Sequence, residues 1–204
     1  MSIRKTSLPG FESQQGPTDR FLFAVLPEKA AAAHIEQLAH ALRHEHGLHG
    51  AAIHAEQLHI TLVGLGEHWE LPHELLAAAA GAAAQITQAV FKVHFDYVQT
   101  FRNKSRVSGH YPVVLCGDEG LIGLETLYQS LAGRLRLLGL KSIPASITPH
   151  VTLLYEPVPV PSHAVAAVEW TVREFMLLQR HIDQRRPYSI IGRWPLQEVS
   201  WPLQ

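Results

Sequence analysis

Two short stretches of the sequence, His59-Ile60-Thr61-Leu62 and His150-Val151-Thr152-Leu153, share one pattern of histidine, apolar residue, threonine and apolar residue. Successive side chains of a β-strand point to opposite faces, so the histidine and threonine of each stretch emerge together. The intervening apolar residues then face a core. Two such strands facing each other would line a cleft with two imidazoles and two hydroxyls.

A pair of histidines suits proton transfer on both sides of a reacting group. Because histidine titrates near neutrality, one imidazole can be a neutral base while the other is a protonated acid. Displacement at phosphorus needs this division, and the hydroxyls of Thr61 and Thr152 can donate hydrogen bonds to non-bridging phosphate oxygens. This chemistry requires no covalent intermediate, and we expect neither a cofactor nor a metal site.

The alternative is that each histidine is only a satisfied core residue, since the chain contains 14 histidines. An internal repeat weighs against this. A strand, an amphipathic helix and a His/Thr strand occur in the same order twice, from Phe21 to His59 and from Tyr111 to His150, and the two spacings differ by one residue. The repeat indicates a pseudo-twofold arrangement that brings both His/Thr pairs to one cleft.

The surrounding elements follow from hydrophobic periodicity. Apolar or alternating runs predict strands over 21–26, 58–63, 90–98, 111–116, 150–155, 170–178 and 188–194. Helices are predicted from Pro27 to Gly47, from Pro72 to about Gln88, and from an Asp118 cap to Gly139. Segments 1–20 and 198–204 are expected to be tails, which leaves 21–197 as a single domain.

Composition limits the partners and the compartment. The formal net charge is -1, so the chain has no global positive charge with which to grip long nucleic acid. Cys116 is the only cysteine, which excludes an internal disulfide and agrees with a reducing compartment. No apolar run approaches the roughly 20 residues of a membrane span, and residues 1–20 lack a signal-peptide core. We expect a cytoplasmic monomer without a membrane partner.

At these residues the sequence resembles the 2H phosphoesterase superfamily, in which the paired His-x-Thr-x motif is the signature. The segments Phe21–Pro27, Gln57–Glu67 and Thr148–Leu153 are similar to LigT-like RNA 2',3'-cyclic phosphodiesterases, also called the 2'-5' RNA ligase family. Phe175–Leu178 and Tyr188–Leu196 resemble the C-terminal end of that family.

The resemblance implies a bilobal α+β fold, with two pseudo-twofold-related antiparallel sheets around a central cleft and helices outside. It also implies metal-independent hydrolysis of an RNA 2',3'-cyclic phosphate to a 2'-phosphate, with 2'-5' ligation as the related reverse chemistry. Carried onto this chain, His59 and His150 are the acid–base pair, and Thr61 and Thr152 bind phosphate. We assign His59 as acid and His150 as base, although the near symmetry of the motifs leaves the reverse open.

The chain departs from the family at possible substrate contacts. RNA-active members often carry an arginine where Tyr155 stands, and Arg180-His181 replaces a usual small polar residue. Tyr155 could stack on an unpaired base, or it could be a buried tyrosine with a satisfied hydroxyl. A cationic substrate contact could come from the basic loop, through Arg102, Lys104 or Arg106. The alternative is that this loop is a solvated hairpin without a role in binding.

The sequence therefore leaves more than one function open. Within the enzyme class, the substrate is an RNA end or a small cyclic phosphate, such as a nucleoside 2',3'-cyclic phosphate or ADP-ribose 1'',2''-cyclic phosphate. The alternative class is a non-catalytic module of the same fold that binds RNA ends. A pure binder has no need of both histidines and both threonines, so the complete set favours the enzyme.

Overall fold

The computed structural model describes residues 18–103, 109–182 and 187–198. Within these ranges the strands are β1 Asp19–Val25, β2 Ile60–His68, β3 Phe91–Thr100, β4 Tyr111–Cys116, β5 Val151–Glu156, β6 His163–Val172, β7 Glu174–His181 and β8 Ser189–Pro195. The helices are α1 Lys29–Glu45, α2 His73–Ala83 and α3 Ile122–Leu137, and a short 3-10 turn covers Ala55–Gln57.

The described strands form two four-stranded antiparallel sheets, which confirms the expected α+β class. The first sheet has the order β2-β1-β7-β8 and the second the order β5-β4-β3-β6. The strands that follow the two histidines, β2 and β5, are therefore edge strands in equivalent positions. Each pairs with the strand that opens its repeat, β1 or β4. The sequence repeat thus corresponds to a repeated sheet arrangement.

Strand β1 is buried on both faces, which explains its continuous apolar sequence. Phe21, Phe23 and Val25 enter the main core, whereas Leu22 and Ala24 point the other way. On that second face they form a smaller apolar cluster with Met176 and Leu178 of β7. The first sheet therefore has a core face and an opposite face, here called the cleft face.

The main core unites both sheets with the helices. Ile35 and Leu42 of α1 and Leu127 and Leu131 of α3 belong to the same buried cluster as Phe23. Although α1 links β1 to β2 of the first sheet, it packs against β5 and β6 of the second. Helix α3 contacts β2 of the first sheet and β3 of the second. These shared contacts fix the position of one sheet relative to the other.

The predicted strand 170–178 is wrong, because it is two strands in different sheets. Strand β6 ends at Val172 in the second sheet, and β7 begins at Glu174 in the first. Apolar side chains on both sides of Arg173 enter the main core, so the hydrophobic pattern continues across the break. The first half of β6 also escaped prediction, since its small alanines give little pattern.

Other boundaries differ by a few residues. Strand β1 begins at Asp19, before Phe21, and α2 ends at Ala83 rather than near Gln88. Leu121 occupies the cap position of α3 without a side-chain hydrogen bond, so the Asp118 cap is wrong. The predicted tails fall mostly outside the described residues and stay predictions. In the described ranges, no helix is both long and apolar enough to cross a membrane.

Candidate active site

Each motif histidine lies one residue before an edge strand, His59 before β2 and His150 before β5. Both histidines and both threonines are partly exposed. The apolar positions of the two motifs are buried, namely Ile60, Leu62, Val151 and Leu153. The expected alternation is therefore present in both copies.

Both imidazoles are held in the same way by their own backbone. Nδ1 of His59 lies 3.0 Å from the carbonyl oxygen of Gln57, and Nδ1 of His150 lies 2.7 Å from that of Thr148. A carbonyl oxygen can only accept, so each Nδ1 carries a proton and donates it. In the neutral ring the lone pair then resides on Nε2. Nε2 of each histidine can thus take part in proton transfer, and the hydroxyl oxygen of Tyr188 lies 3.5 Å from Nε2 of His59.

One cavity of about 330 Å³ touches both motifs, although its lining includes neither His59 nor Thr152. Thr61 from the first sheet and His150 from the second both line it. Its remaining wall includes Phe101 at the end of β3 and the loop 142–148, which contributes Ile143 and Ile147. The cavity therefore joins a hydroxyl and an imidazole from opposite repeats to an apolar wall.

Burial favours the neutral form of both imidazoles. It lowers the pKa of His59 to about 4, while the hydrogen bond to Gln57 opposes this shift and the charges of Arg180 and Arg20 add to it. Burial also lowers the pKa of His150, while the hydrogen bond to Thr148 opposes this. A bound phosphate anion favours the charged form of a neighbouring imidazole. Either histidine can then carry the proton once such an anion is present.

Two aromatic residues that the sequence did not single out contact the histidines. The hydroxyl oxygen of Tyr188, just before β8, lies 3.1 Å from Nδ1 of His59, and the ring centroids are 5.0 Å apart. Phe101 contacts His150 edge to face, with ring centroids 4.7 Å apart. Phe101 directly precedes the basic loop, but nothing in the sequence indicates which aromatic side chain reaches which histidine.

The structure describes two of the four residues that the sequence offers as substrate contacts. Tyr155 is partly exposed, and its charge contributes to the raised pKa of Tyr188, whose main cause is burial. Arg102 is exposed beside Phe101. The other two basic-loop candidates, Lys104 and Arg106, lie outside the described residues, so the proposal that they contact substrate stays a prediction.

A further cation, Arg180 near the end of β7, stands close to this site. Its guanidinium carbon is 5.9 Å from the centre of the Tyr188 ring. The sequence marked Arg180 only as a departure from the family pattern. Its position beside the histidines depends on where β8 and Tyr188 pack, which no local pattern shows.

The sequence matches the 2'-5' RNA ligase superfamily over residues 27–184. The chain belongs to this superfamily. The comparison with curated proteins gave no match. Among solved structures, LigT from E. coli complexed with 3'-AMP is 27% identical, with a TM-score of 0.67, and the alignment covers 88% of this chain and 98% of LigT.

Two further solved structures are similar to this chain. One, described as a phosphoesterase, is 27% identical with a TM-score of 0.66, covering 88% of this chain and 98% of the other. TT0787 of Thermus thermophilus is 22% identical with a TM-score of 0.68, covering 89% and 100% respectively, and this likeness concerns the fold. Membership of a phosphoesterase superfamily supports an enzyme.

Proposed function

We propose that this protein hydrolyses RNA 2',3'-cyclic phosphate ends to 2'-phosphates, using two imidazoles as acid and base and no metal. The main support is the matched geometry of the two histidines. Both donate from Nδ1 to a carbonyl two residues upstream, which leaves Nε2 of each for chemistry. Thr61 and His150, from opposite sheets, also line one cavity.

The proposed reaction is an in-line displacement at phosphorus. One neutral imidazole takes a proton from water at Nε2 as the water oxygen forms a bond to phosphorus. The bond from phosphorus to the ribose 3'-oxygen breaks, and the other imidazole, in its protonated form, donates a proton to that oxygen. The products are a 2'-phosphate and a free 3'-hydroxyl. A ribose hydroxyl in place of water would give a 2'-5' linkage instead.

The threonines are proposed to hold the phosphate during this displacement. Their hydroxyls stand on the same faces as the histidines, and each can donate one hydrogen bond to a non-bridging oxygen. Since the hydroxyls are fixed by strands β2 and β5, they are aligned before substrate binds. Such preorganised donors stabilise the charge that builds on these oxygens in the transition state.

The cavity wall supports a nucleotide as the bound group. Phe101, Ile143 and Ile147 give an apolar surface beside Thr61 and His150, which suits a sugar and base. A solved complex of LigT contains 3'-AMP. The cavity volume of about 330 Å³ is near the lower end of ligand sites, about 300–1,000 Å³. A nucleoside 2',3'-cyclic phosphate is therefore the second candidate substrate.

Product analysis tests this function. An oligonucleotide with a 2',3'-cyclic phosphate end is incubated with the protein in the presence of EDTA, and the product end is identified by mass spectrometry and phosphatase treatment. We expect a 2'-phosphate. Conversion that requires a divalent ion, a 3'-phosphate product, or no conversion of either candidate substrate would overturn the proposal.

A further inference from the structure

Two arginines of the first sheet share the cleft face with Thr61. Arg20 of β1 is directly opposite Arg180 of β7, so their side chains emerge on the same face. The β1–β7 register has no shift, so Arg20 also shares its face with Ala24. Thr61 of β2 is opposite Ala24 and belongs to this face as well. The cleft face therefore carries the Thr61 hydroxyl at one position along the strands and the two opposed arginines at another.

Only one of the two arginines has an acidic partner in the described part of the chain. Arg20 forms an ion pair with Glu67, which is opposite it on β2. The ion pairs in residues 18–103, 109–182 and 187–198 do not include Arg180, which instead contacts the Tyr188 ring. The Arg180 guanidinium therefore keeps a positive charge that no acidic side chain of the described residues offsets, and it is available to a bound anion.

The charge of Arg180 acts at the site described above. Tyr188 contacts both the Arg180 guanidinium and the His59 ring. Among the charges that oppose the protonated form of His59, Arg180 has a larger effect than His150. A partly exposed cation this close to a phosphate-binding site adds to the positive potential that attracts anionic ligands.

The two arginines are separated from Thr61 along the direction of the strands. Arg20 and Ala24 are four residues apart, which is about 13 Å at about 3.3 Å per residue. Leu22 and Leu178 occupy the cleft face between these two positions. The Arg180 side chain shortens this backbone separation, because its guanidinium carbon lies 5.9 Å from the centre of the Tyr188 ring that contacts His59. An anion held by Arg180 would therefore lie beside the one held by Thr61.

We propose that Arg180 binds a second anion of the substrate, the phosphodiester that joins the terminal nucleotide to the rest of the RNA chain. This inference rests on the proposed function and narrows its substrate class. The preferred substrate is an oligonucleotide with at least one internucleotide phosphate, rather than a cyclic mononucleotide. Arg180 is then a specificity-determining residue, and Arg20, already neutralised by Glu67, has a smaller part.

The test is the ratio of kcat/KM for a dinucleotide with a 2',3'-cyclic phosphate end to kcat/KM for the matching cyclic mononucleotide. Any effect of Arg180 on His59 acts on both substrates and cancels in this ratio. In Arg180→Gln we expect the ratio to fall about 10–100-fold, the usual value of one charge-assisted hydrogen bond. Arg180→Lys keeps the charge but not the two-pronged geometry, and it should lose less.

Arg134→Gln is the matched control, because it removes the same charge from α3, where Arg134 is hydrogen-bonded to Gln85. It should leave the ratio unchanged. Salt provides an independent readout. Loss of one phosphate contact should reduce the slope of log affinity for single-stranded oligonucleotide against log salt by about 0.7 in Arg180→Gln.

An unchanged ratio in Arg180→Gln, or equal losses on both substrates, would overturn the inference. Failure of the proposed function is distinguishable, since the wild-type protein would then hydrolyse neither substrate. In that case, anisotropy of a labelled oligonucleotide with a 2'-phosphate end decides the role of Arg180. Equal affinities of wild type and Arg180→Gln would contradict it, and weaker binding by the variant would support it.

Discussion

The hydroxyl oxygen of Tyr188 lies 3.1 Å from Nδ1 of His59, the nitrogen that also donates to the Gln57 carbonyl. The same tyrosine oxygen lies 3.5 Å from Nε2, whose lone pair can accept from the tyrosine O–H. His59 is therefore oriented by a carbonyl of its own backbone and by a hydroxyl from the other end of the chain.

Tyr188→Phe should lower kcat by about fivefold, since a typical hydrogen bond contributes about 1 kcal/mol. The ring contact with His59 is retained, so the variant should stay folded. Steady-state kinetics on the cyclic-phosphate substrate measure the effect. Tyr97→Phe removes a hydroxyl from β3 and serves as the control, with no change in kcat expected. Equal kcat values for Tyr188→Phe and wild type would show that this hydroxyl does not orient His59.

Phe101→Leu tests the corresponding contact at His150. The edge-to-face contact orients the imidazole, and such aromatic pairs contribute about 0.5–1.5 kcal/mol. We expect kcat to fall about 2–10-fold, which is the same energy expressed as a rate. Phe91→Leu, at the other end of β3, should leave kcat unchanged. If both variants have the same kcat, the Phe101 contact has no role in orienting His150.

Much of this site could be predicted from the sequence, because the repeated His-x-Thr-x pattern is local. The alternation of buried and exposed residues predicted which side chains share a face. Tyr188, Phe101 and Arg180 could not be placed, because their approach to the histidines depends on long-range packing between strands. The break at Arg173 was missed for a related reason, since both flanking strands present apolar residues to the same core.

Thr61→Ala and Thr152→Ala should each lower kcat, but less than loss of a histidine does. Each variant removes one hydrogen-bond donor to the phosphate while the other donor remains. Thr61→Ser keeps the hydroxyl and should retain most of the activity. Single-turnover kinetics separate an effect on the chemical step from one on binding. A threonine variant with unchanged kcat and unchanged KM would remove that hydroxyl from the phosphate site.

The pH dependence should differ between kcat/KM and kcat. Burial lowers both histidine pKa values, so in the free enzyme the form with one protonated imidazole is favoured at acidic pH. A bound phosphate raises these pKa values. The bell-shaped pH profile of kcat should therefore be centred at higher pH than that of kcat/KM. The two apparent pKa values of each profile belong to the coupled histidine pair and not to either residue alone. Flat profiles, or a shift in the opposite direction, would contradict the acid–base account.

The central claim is that His59 and His150 act together as acid and base, and kcat of the single and double alanine variants tests it most directly. Each single variant should lose about 10²–10⁴ in kcat on the cyclic-phosphate substrate. The double variant should lose far less than the product of the two single losses, because the pair acts as a unit. Circular dichroism should show that all three are folded. Wild-type kcat in either single variant would contradict the claim, because catalysis would then proceed without that histidine as acid or base.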